Sequence, residues 1–376
     1  MPAAAIPRIT RIAPASWSLS AAHSECTLHQ LSPYIGKLKS SIARDLILHY
    51  SSPGDIVADP FAGSGTIPFE ACLLGRRAFA ADVSPYAEVL CQAKLSAPRD
   101  ENTAVSVAEE LLQEAERRRR SDLRGVPAWV RSFFHTETLR EALSFAAVCR
   151  EGSHHFHLAC LLGILHHQRP GFLSYPSSHL VPYLRTRKFP RRAFPEMYTY
   201  RPLRPRILAK IKRAFKRPAQ SQITEDFQFS RRSVLDLTFP PRVDCVVTSP
   251  PYMNALDYTR DNRLRLWFIS PYKGPVHDDP VTTQKQMFVS AITALASQLQ
   301  ASLKPNGHCI MVVGDKVTRN ADALPSETVR AIFQVHAPSL CFLSSITDRI
   351  PDIRRSRRDC SATKAESVLV YKRGSI

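Results

Sequence analysis

The sequence predicts an open, doubly wound α/β sheet that is interrupted by a long insertion. Residues 55–74 run in the order strand, glycine turn and helix, and the apolar run 245–247 leads into Ser-Pro-Pro-Tyr at 249–252. Because proline has no backbone N–H to donate, the two prolines must lie just past the carboxyl end of a buried strand. The stretch between Asp82 and this turn is far longer than a usual connection between sheet elements, so it predicts the insertion.

The first of these segments has the pattern of a cofactor-binding loop. Gly63 and Gly65 permit a tight turn and a close approach of the backbone to a ligand. Thr66 can cap the helix whose amino terminus faces that ligand. The next strand pattern, 77–81, ends in Asp82, where a carboxylate can bind ribose hydroxyls.

The insertion and the last strands follow in order. Residues 102–116 have a helical pattern, residues 168–217 are rich in Pro, Arg and Tyr, and residues 208–215 resume a short basic helix. Two further strand patterns, 309–313 and 366–371, complete the sheet.

The Ser-Pro-Pro-Tyr turn predicts a site for a flat ring that carries an amino group. Ligands of open α/β sheets bind at the carboxyl ends of the strands. There Ser249 Oγ and the Pro250 carbonyl can accept hydrogen bonds from an exocyclic amine, and Tyr252 can stack on the ring.

Composition places limits on the class of protein. The 376 residues, 44% hydrophobic and 22% charged, suffice for one large or two medium domains, and no run approaches the roughly 18 apolar residues of a membrane helix. The net charge of +18 suits a polyanionic partner, although ribosome-associated and merely cationic proteins share such a bias.

Cysteine and histidine usage argues against a disulfide framework and a metal site. The nine cysteines include no C-x-x-C pair, and the His154-x-x-His157 pair has only Cys160 nearby. We therefore expect no metal and a reducing, cytoplasmic compartment, with association to the nucleoid.

The two motifs together, DPFAGSGT at 59–66 with Asp82 and TSPPY at 248–252, resemble those of the amino-methylating DNA methyltransferases. These enzymes use S-adenosylmethionine to methylate N4 of cytosine or N6 of adenine. The resemblance implies a Rossmann-like class I methyltransferase sheet with S-adenosylmethionine as cofactor. The positions that it implies for the cofactor are Tyr34, Asp59, Pro60, Phe61, Gly63, Gly65, Thr66, Asp82 and Asp236; those for the target base, the catalytic positions, are Ser249, Pro250, Pro251 and Tyr252.

The order of the motifs, cofactor before catalysis, divides the chain into four parts. We expect a flexible leader at 1–25, the cofactor-binding half of the methyltransferase domain at 26–98, an inserted target-recognition region at 99–228, and the catalytic half at 229–376. The insertion is expected to be helical in part, irregular in part, and basic.

Arginines in the insertion and after the catalytic motif are candidates for binding nucleic acid. Guanidinium groups grip phosphates and guanine edges. The candidates are Arg185, Arg187, Arg191, Arg192, Arg260 and Arg263. The alternatives are a proline-stiffened loop that packs on the core and the polar face of a packed helix, and we expect the packed position for Arg265.

The favoured activity is methylation of N4 of cytosine in double-stranded DNA, on a base flipped out of the helix. Serine at the first position of the tetrapeptide favours cytosine, since related enzymes with aspartate there more often modify adenine. N6-adenine methylation, RNA methylation on tRNA or rRNA, and a catalytically silent DNA-binding relative remain open. A cytosine-C5 mechanism is excluded because no Pro-Cys pair supplies its nucleophile. A cognate restriction endonuclease is a possible partner, no membrane is expected, and the oligomeric state is left open.

Overall fold

A mixed eight-stranded sheet forms the centre of the part of the chain that the structure describes. This computed structural model describes residues 10–18, 25–119, 122–179, 181–219, 226–251, 258–271, 285–315, 324–349 and 365–375. The strands are β1 (Thr10–Ile12), β2 (Ile56–Asp59), β3 (Arg77–Ala81), β4 (Phe227–Ser230), β5 (Val243–Thr248), β6 (Leu303–Asp315), β7 (Leu340–Arg349) and β8 (Ala365–Arg373).

Helices cover both faces of the sheet. They are α1 (Ala15–Ser18), α2 (Ser40–Tyr50), α3 (Thr66–Leu73), α4 (Pro85–Leu95), α5 (Glu101–Arg117), α6 (Ala128–Arg131), α7 (Thr136–Glu151), α8 (His155–Ile164), α9 (Leu203–Ala214), α10 (Tyr258–Ile269), α11 (Lys285–Ser302) and α12 (Pro325–His336). Two 3₁₀ turns lie at Thr27–Gln30 and Pro195–Tyr198.

The strand order is β1-β7-β8-β6-β5-β2-β3-β4, and the pairs are parallel except where β8 runs antiparallel to β6 and β7. From β2 the chain builds outwards through β3 and β4, and then returns to build β5 and β6 on the other side. The direction of winding therefore reverses between the paired strands β2 and β5. This arrangement confirms the predicted doubly wound, Rossmann-like α/β fold, whose ligands bind at such a reversal.

The neighbouring strands β2 and β5 are buried on both faces, as parallel strands covered by helices must be. Val57 packs with the hydrophobic cluster on one face, and Ala58 packs with the cluster on the other. Likewise, Cys245 of β5 packs with the first cluster and Val246 packs with the second. Both layers thus hold the ends of β2 and β5 in fixed positions.

The insertion is part of this core. Its helices α5, α7, α8 and α9 bury residues such as Leu161 and Ile207 in the same cluster as Val57, and α8 packs against α4. From 165 to 202 the chain is mostly irregular, with one 3₁₀ turn and an isolated bridge between Ser177 and Leu184. The predicted mixture of helix and irregular chain is confirmed.

Residues 10–18, within the segment expected to be a flexible leader, are placed against the rest of the fold. Residues 10–12 form β1, which pairs in parallel with β7. The Trp17 side chain is only 1% exposed, and its Nε1 donates a hydrogen bond to Asp45 Oδ2 at 2.8 Å. A three-residue strand is too short to produce periodicity in the sequence, so only long-range pairing reveals it. The remaining leader residues, 1–9 and 19–24, lie outside the described residues.

Candidate active site

One cleft lies where the winding reverses, at the carboxyl ends of β2 and β5. The last residue of β2 contributes Asp59, the loop after it contributes Gly63, the residue after β3 is Asp82, and the turn after β5 contributes Ser249. The first turn of α10 adds Tyr258. The two motifs, distant in sequence, therefore line the same cleft.

The glycine loop has the left-handed backbone that its glycines predict. Gly63 has φ +49° and Gly65 has φ +72°. Asp82 Oδ2 accepts a hydrogen bond from Gly63 N at 2.8 Å, and Oδ1 accepts one from Ser84 N at 2.9 Å. The carboxylate that lines the cleft thus also fixes the conformation of the loop.

The two glycines make different close contacts. A Cβ on Gly63 would lie 3.2 Å from Cε1 of Tyr34, another residue of the cleft. A Cβ on Gly65 would lie 2.8 Å from Cys91 Sγ on α4, and Gly65 is not among the residues that line the cleft. Gly63 therefore keeps space open at the cleft, whereas Gly65 allows α3 and α4 to pack.

Lys94 on α4 contacts the glycine loop, and sequence reasoning missed this residue. Its Nζ donates a hydrogen bond to Ser64 O at 2.6 Å, and burial lowers its pKa to about 7. On the other side of the loop, Thr66 Oγ1 lies 3.0 Å from Ser64 Oγ. The only signal in the sequence is a single lysine among the apolar residues of α4.

Asp59 joins the two motifs directly. Its Oδ1 accepts hydrogen bonds from Thr248 Oγ1 at 2.7 Å and from Phe61 N at 3.2 Å. Its Oδ2 is buried, with no hydrogen-bond partner among the described residues. Burial raises the pKa of this carboxyl to about 7, and the bonds from Thr248 and Phe61 oppose the shift. Thr248 was not predicted as a site residue.

The Ser-Pro-Pro-Tyr turn contributes Ser249 and Pro251 to the cleft, while Pro250 is buried beside them. Tyr252 lies outside the described residues. From α10, Tyr258 and Asn262 line the cleft, and Asn262 Nδ2 donates to Tyr258 O at 3.0 Å. Sequence reasoning did not find Asn262.

The segment before α2 covers the glycine loop. Tyr34 and Lys37 line the cleft, and Tyr34 stacks on Tyr86 with ring centroids 5.7 Å apart. Tyr86 OH also donates to Pro33 O at 2.7 Å, which ties this segment to α4. Lys37 Nζ donates to His29 O at 2.7 Å, and burial lowers the pKa of this lysine.

Asp236 is not brought into the cleft. It is exposed and forms a backbone turn in which its N–H donates to Ser233 O at 3.0 Å. Ser233 and Val234 of the same loop line the cleft instead. The loop buries Val234 and Leu237, which leaves Asp236 at the surface. The remaining predicted cofactor residues, Pro60 and Phe61, do line the cleft.

The predicted nucleic-acid residues lie outside the cleft lining. Arg187 and Arg192 are exposed. The guanidinium groups of Arg185 and Arg191 lie over the rings of Phe189 and Tyr198, at 5.8 Å and 5.7 Å from the centroids.

The arginines of α10 divide between surface and core. Arg260 Nε lies 3.7 Å from Asp261 Oδ1, and Arg263 Nη2 donates to Pro182 O at 2.8 Å. Arg265 is 1% exposed and donates to Leu162 O, so its predicted packed position is confirmed.

The described part of the chain contains neither a candidate metal site nor a helix that could span a membrane. Those residues include no group of three His, Cys, Asp or Glu side chains that could hold a metal ion. They also include no helix that is long and apolar enough to cross a membrane.

Solved structures resemble the chain only distantly. TrmN from Thermus thermophilus is 12% identical with a TM-score of 0.36, and the alignment covers 92% of this chain and 52% of TrmN, so the chain spans about half of that protein. The rRNA methyltransferase AviRa from Streptomyces viridochromogenes is 13% identical, with coverage of 94% and 95% and a TM-score of 0.33. The N-methyltransferase NodS from Bradyrhizobium japonicum WM9, in complex with S-adenosyl-L-homocysteine, is 12% identical, with coverage of 45% and 62% and a TM-score of 0.23. Since these TM-scores are below 0.5, we infer nothing about function from these structures.

A family model gives the more specific comparison. No curated protein matches the chain. Residues 16–92 match a family model described as DNA methylase, of the N6/N4 methyltransferase type. This segment contains the glycine loop and Asp82. Over residues 16–92 this match confirms the resemblance to the amino-methylating DNA methyltransferases.

Proposed function

We propose that the chain is a site-specific DNA methyltransferase that moves a methyl group from S-adenosylmethionine to the exocyclic amine of a flipped base, most favourably N4 of cytosine. The observation that carries this proposal is the shared cleft, in which Gly63 and Asp82 lie together with Ser249 and Pro251. A cofactor held by the first pair is thereby adjacent to a base held by the second.

The residues of the cleft fit the cofactor. Gly63 leaves room where a side chain would meet Tyr34, and the buried Asp59 Oδ2 is an acceptor without a partner among the described residues. Asp82 suits the ribose hydroxyls, and the negative charge of Asp59 suits the cationic part of the ligand. Bound S-adenosylmethionine supplies an electrophilic methyl group.

The remaining chemistry is orientation of the amine. Ser249 Oγ and the Pro250 carbonyl accept its N–H bonds and direct the nitrogen lone pair at the methyl group, so the site works by positioning more than by acid–base catalysis. Extrusion of the base costs a few kcal/mol. Stacking on Tyr252 and backbone contacts offset that cost.

The charge of the chain supports DNA as the partner. A net charge of +18 favours a polyanion, and Arg187 and Arg192 expose their side chains in the region 99–228, to which we assign target recognition. Serine at position 249 is the feature that favours cytosine over adenine.

The test is nucleoside mass spectrometry of unmethylated plasmid DNA and of total RNA, each incubated with the purified protein and S-adenosylmethionine. N4-methylcytosine in DNA is the expected product, and N6-methyladenine would change only the base. Product in RNA alone would overturn the DNA assignment, and no product in either would overturn the proposed activity.

Two variants separate the roles within the site. Ser249→Ala should abolish transfer and retain cofactor binding, since it removes only an acceptor for the amine. Asp82→Ala should lose cofactor binding, since it removes both a ribose ligand and the bond that holds Gly63. Loss of cofactor affinity in Ser249→Ala would contradict the assigned role.

A further inference from the structure

Arg263, the residue after the cleft-lining Asn262, contacts one exposed aromatic side chain and the backbone of the residue that precedes a second one. Trp129 is 36% exposed and Tyr183 is 52% exposed. The Arg263 guanidinium lies 5.2 Å from the centroid of the Trp129 ring, and its Nη2 donates to the carbonyl of Pro182, the residue before Tyr183, at 2.8 Å. These three residues, Trp129, Tyr183 and Arg263, form what we call the aromatic patch.

Helix α10 connects the aromatic patch to the cleft. Tyr258 and Asn262 line the cleft, and Arg263 is the next residue of the same helix. At 1.5 Å per residue, Arg263 is about 7.5 Å along the helix axis from Tyr258. A nucleotide that neighbours the target base can therefore reach the patch.

The patch is held in place by the surrounding chain. Trp129 packs edge-on against the buried Phe133, with ring centroids 6.5 Å apart. Around Tyr183, the backbone hydrogen bond Ser178 N to Tyr183 O, at 3.3 Å, and the bond Arg185 N to Pro176 O, at 2.8 Å, close the loop. Because Trp129 already packs against Phe133, a base that stacks on it meets a smaller entropic cost.

We propose that the aromatic patch binds unpaired nucleobases that flank the target, by stacking on Trp129 and Tyr183 beside the positive charge of Arg263. Aromatic rings with a neighbouring cation suit the π-faces of any base, and such stacking is tolerant of sequence. The proposal rests on the proposed function and deepens it. It implies that, in the bound strand, the bases next to the flipped base are unstacked as well as the flipped base itself.

Intrinsic fluorescence tests the proposal directly. The sequence has three tryptophans, of which Trp17 is buried, Trp267 is half-buried and Trp129 is exposed. Titration with a mixed-sequence single-stranded DNA oligonucleotide should quench the fluorescence of the wild-type protein. In Trp129→Phe, which keeps a ring for stacking, the quenching should be largely lost while fluorescence anisotropy of a labelled oligonucleotide still reports binding. Quenching of equal size in both proteins would overturn the assignment.

Affinity gives a second, independent readout. Trp129→Ala and Tyr183→Ala should each weaken oligonucleotide binding by roughly 5- to 150-fold, the range for loss of one stacked base, with cofactor binding unchanged. Val335→Ala, which truncates a 71% exposed side chain on α12, is the matched control and should bind as the wild type does. If both patch variants bind as tightly as this control, the proposal that the aromatic patch binds nucleobases is overturned, and the proposed function stands. If the wild-type protein binds no single-stranded oligonucleotide, the proposal for the aromatic patch fails, and nucleoside mass spectrometry of plasmid DNA decides the proposed function separately.

Discussion

At the scale of single residues, Asp59 and Thr248 connect the glycine loop to the Ser-Pro-Pro-Tyr turn. Both side chains are essentially buried, at 1% and 0% exposure, and their hydrogen bond spans the junction of β2 and β5. A buried carboxylate is costly in its charged form unless hydrogen bonds or a cation compensate it. Thr248 supplies one such bond, and Asp59 Oδ2 is left for the ligand.

This pair gives a prediction about pH. Burial holds the pKa of Asp59 at about 7, so the carboxyl is protonated below that pH and ionised above it. If the ionised form attracts the cationic cofactor, affinity for S-adenosylmethionine should rise as pH increases through about 7. Thr248→Val removes a bond that lowers this pKa, so the midpoint should move to higher pH. Isothermal titration calorimetry between pH 6 and 9 measures both midpoints.

Asp59→Asn is the control for this prediction, because an amide does not titrate. It should bind the cofactor weakly, with no step near pH 7. A Thr248→Val protein whose midpoint equals that of the wild type would show that the threonine bond does not tune Asp59.

What the sequence could reveal about single residues depends on whether their role is local. The backbone demands of Gly63 and Gly65 are local, so their pattern predicts the loop correctly. The bonds of Lys94 to Ser64 and of Thr248 to Asp59 depend on which helix and strand become neighbours. The surface position of Asp236 likewise follows from the packing of Val234 and Leu237, which motif spacing does not encode.

At the scale of elements, α8 packs unusually close to the 3₁₀ turn at Thr27–Gln30. A Cβ placed on Gly163 would lie 2.0 Å from Leu31 O and 3.0 Å from Lys210 Cε. Only a glycine permits this approach. The turn precedes the segment that carries Tyr34, so α8 helps to position one wall of the cleft.

Gly163→Ala should therefore destabilise the protein. In an ordinary helix this change stabilises by roughly 0.5–1 kcal/mol, whereas overpacking of a core costs about 1–3 kcal/mol, and contact with a backbone carbonyl leaves little room for relief. We expect a lower midpoint of urea denaturation and weaker cofactor binding. Gly171→Ala is the matched control, since a Cβ there would meet no atom within 4 Å. Equal denaturation midpoints for the two variants would contradict the packing argument.

The elements that the sequence predicts well are those with a strong local pattern. The helical pattern at 102–116 corresponds to α5 at Glu101–Arg117, and the apolar runs correspond to β2, β3 and β5. The strand β1 is defined only by its pairing with β7. Helix α8 is buried along its whole length, so its apolar residues do not mark one face, and its place between α4 and α9 could not be inferred.

At the scale of the whole molecule, the topology of the sheet forms the cleft, and the positive charge of the chain favours a polyanionic partner. The sheet brings the two motifs together at one reversal of strand order, and the insertion adds its arginines to the same folded body through a continuous core. The net charge of +18 is a property that the sequence establishes fully. The sequence does not establish which arginines contact phosphate, since Arg265 is buried and Arg263 forms a hydrogen bond within the protein.

The charge predicts how binding of DNA responds to salt. Each phosphate neutralised by Lys or Arg adds about 0.9 to the slope of log K against log salt concentration for duplex DNA. If Arg187 and Arg192 each meet one phosphate, the double variant Arg187→Ala/Arg192→Ala should reduce the slope by about 1.8. Arg124→Ala is the matched control because Arg124 is equally at the surface but pairs with Asp122. Fluorescence anisotropy of a labelled duplex at 50 to 200 mM salt measures these slopes. A double variant whose slope equals that of Arg124→Ala would exclude Arg187 and Arg192 as phosphate contacts and assign the response to salt to other cations of the molecule.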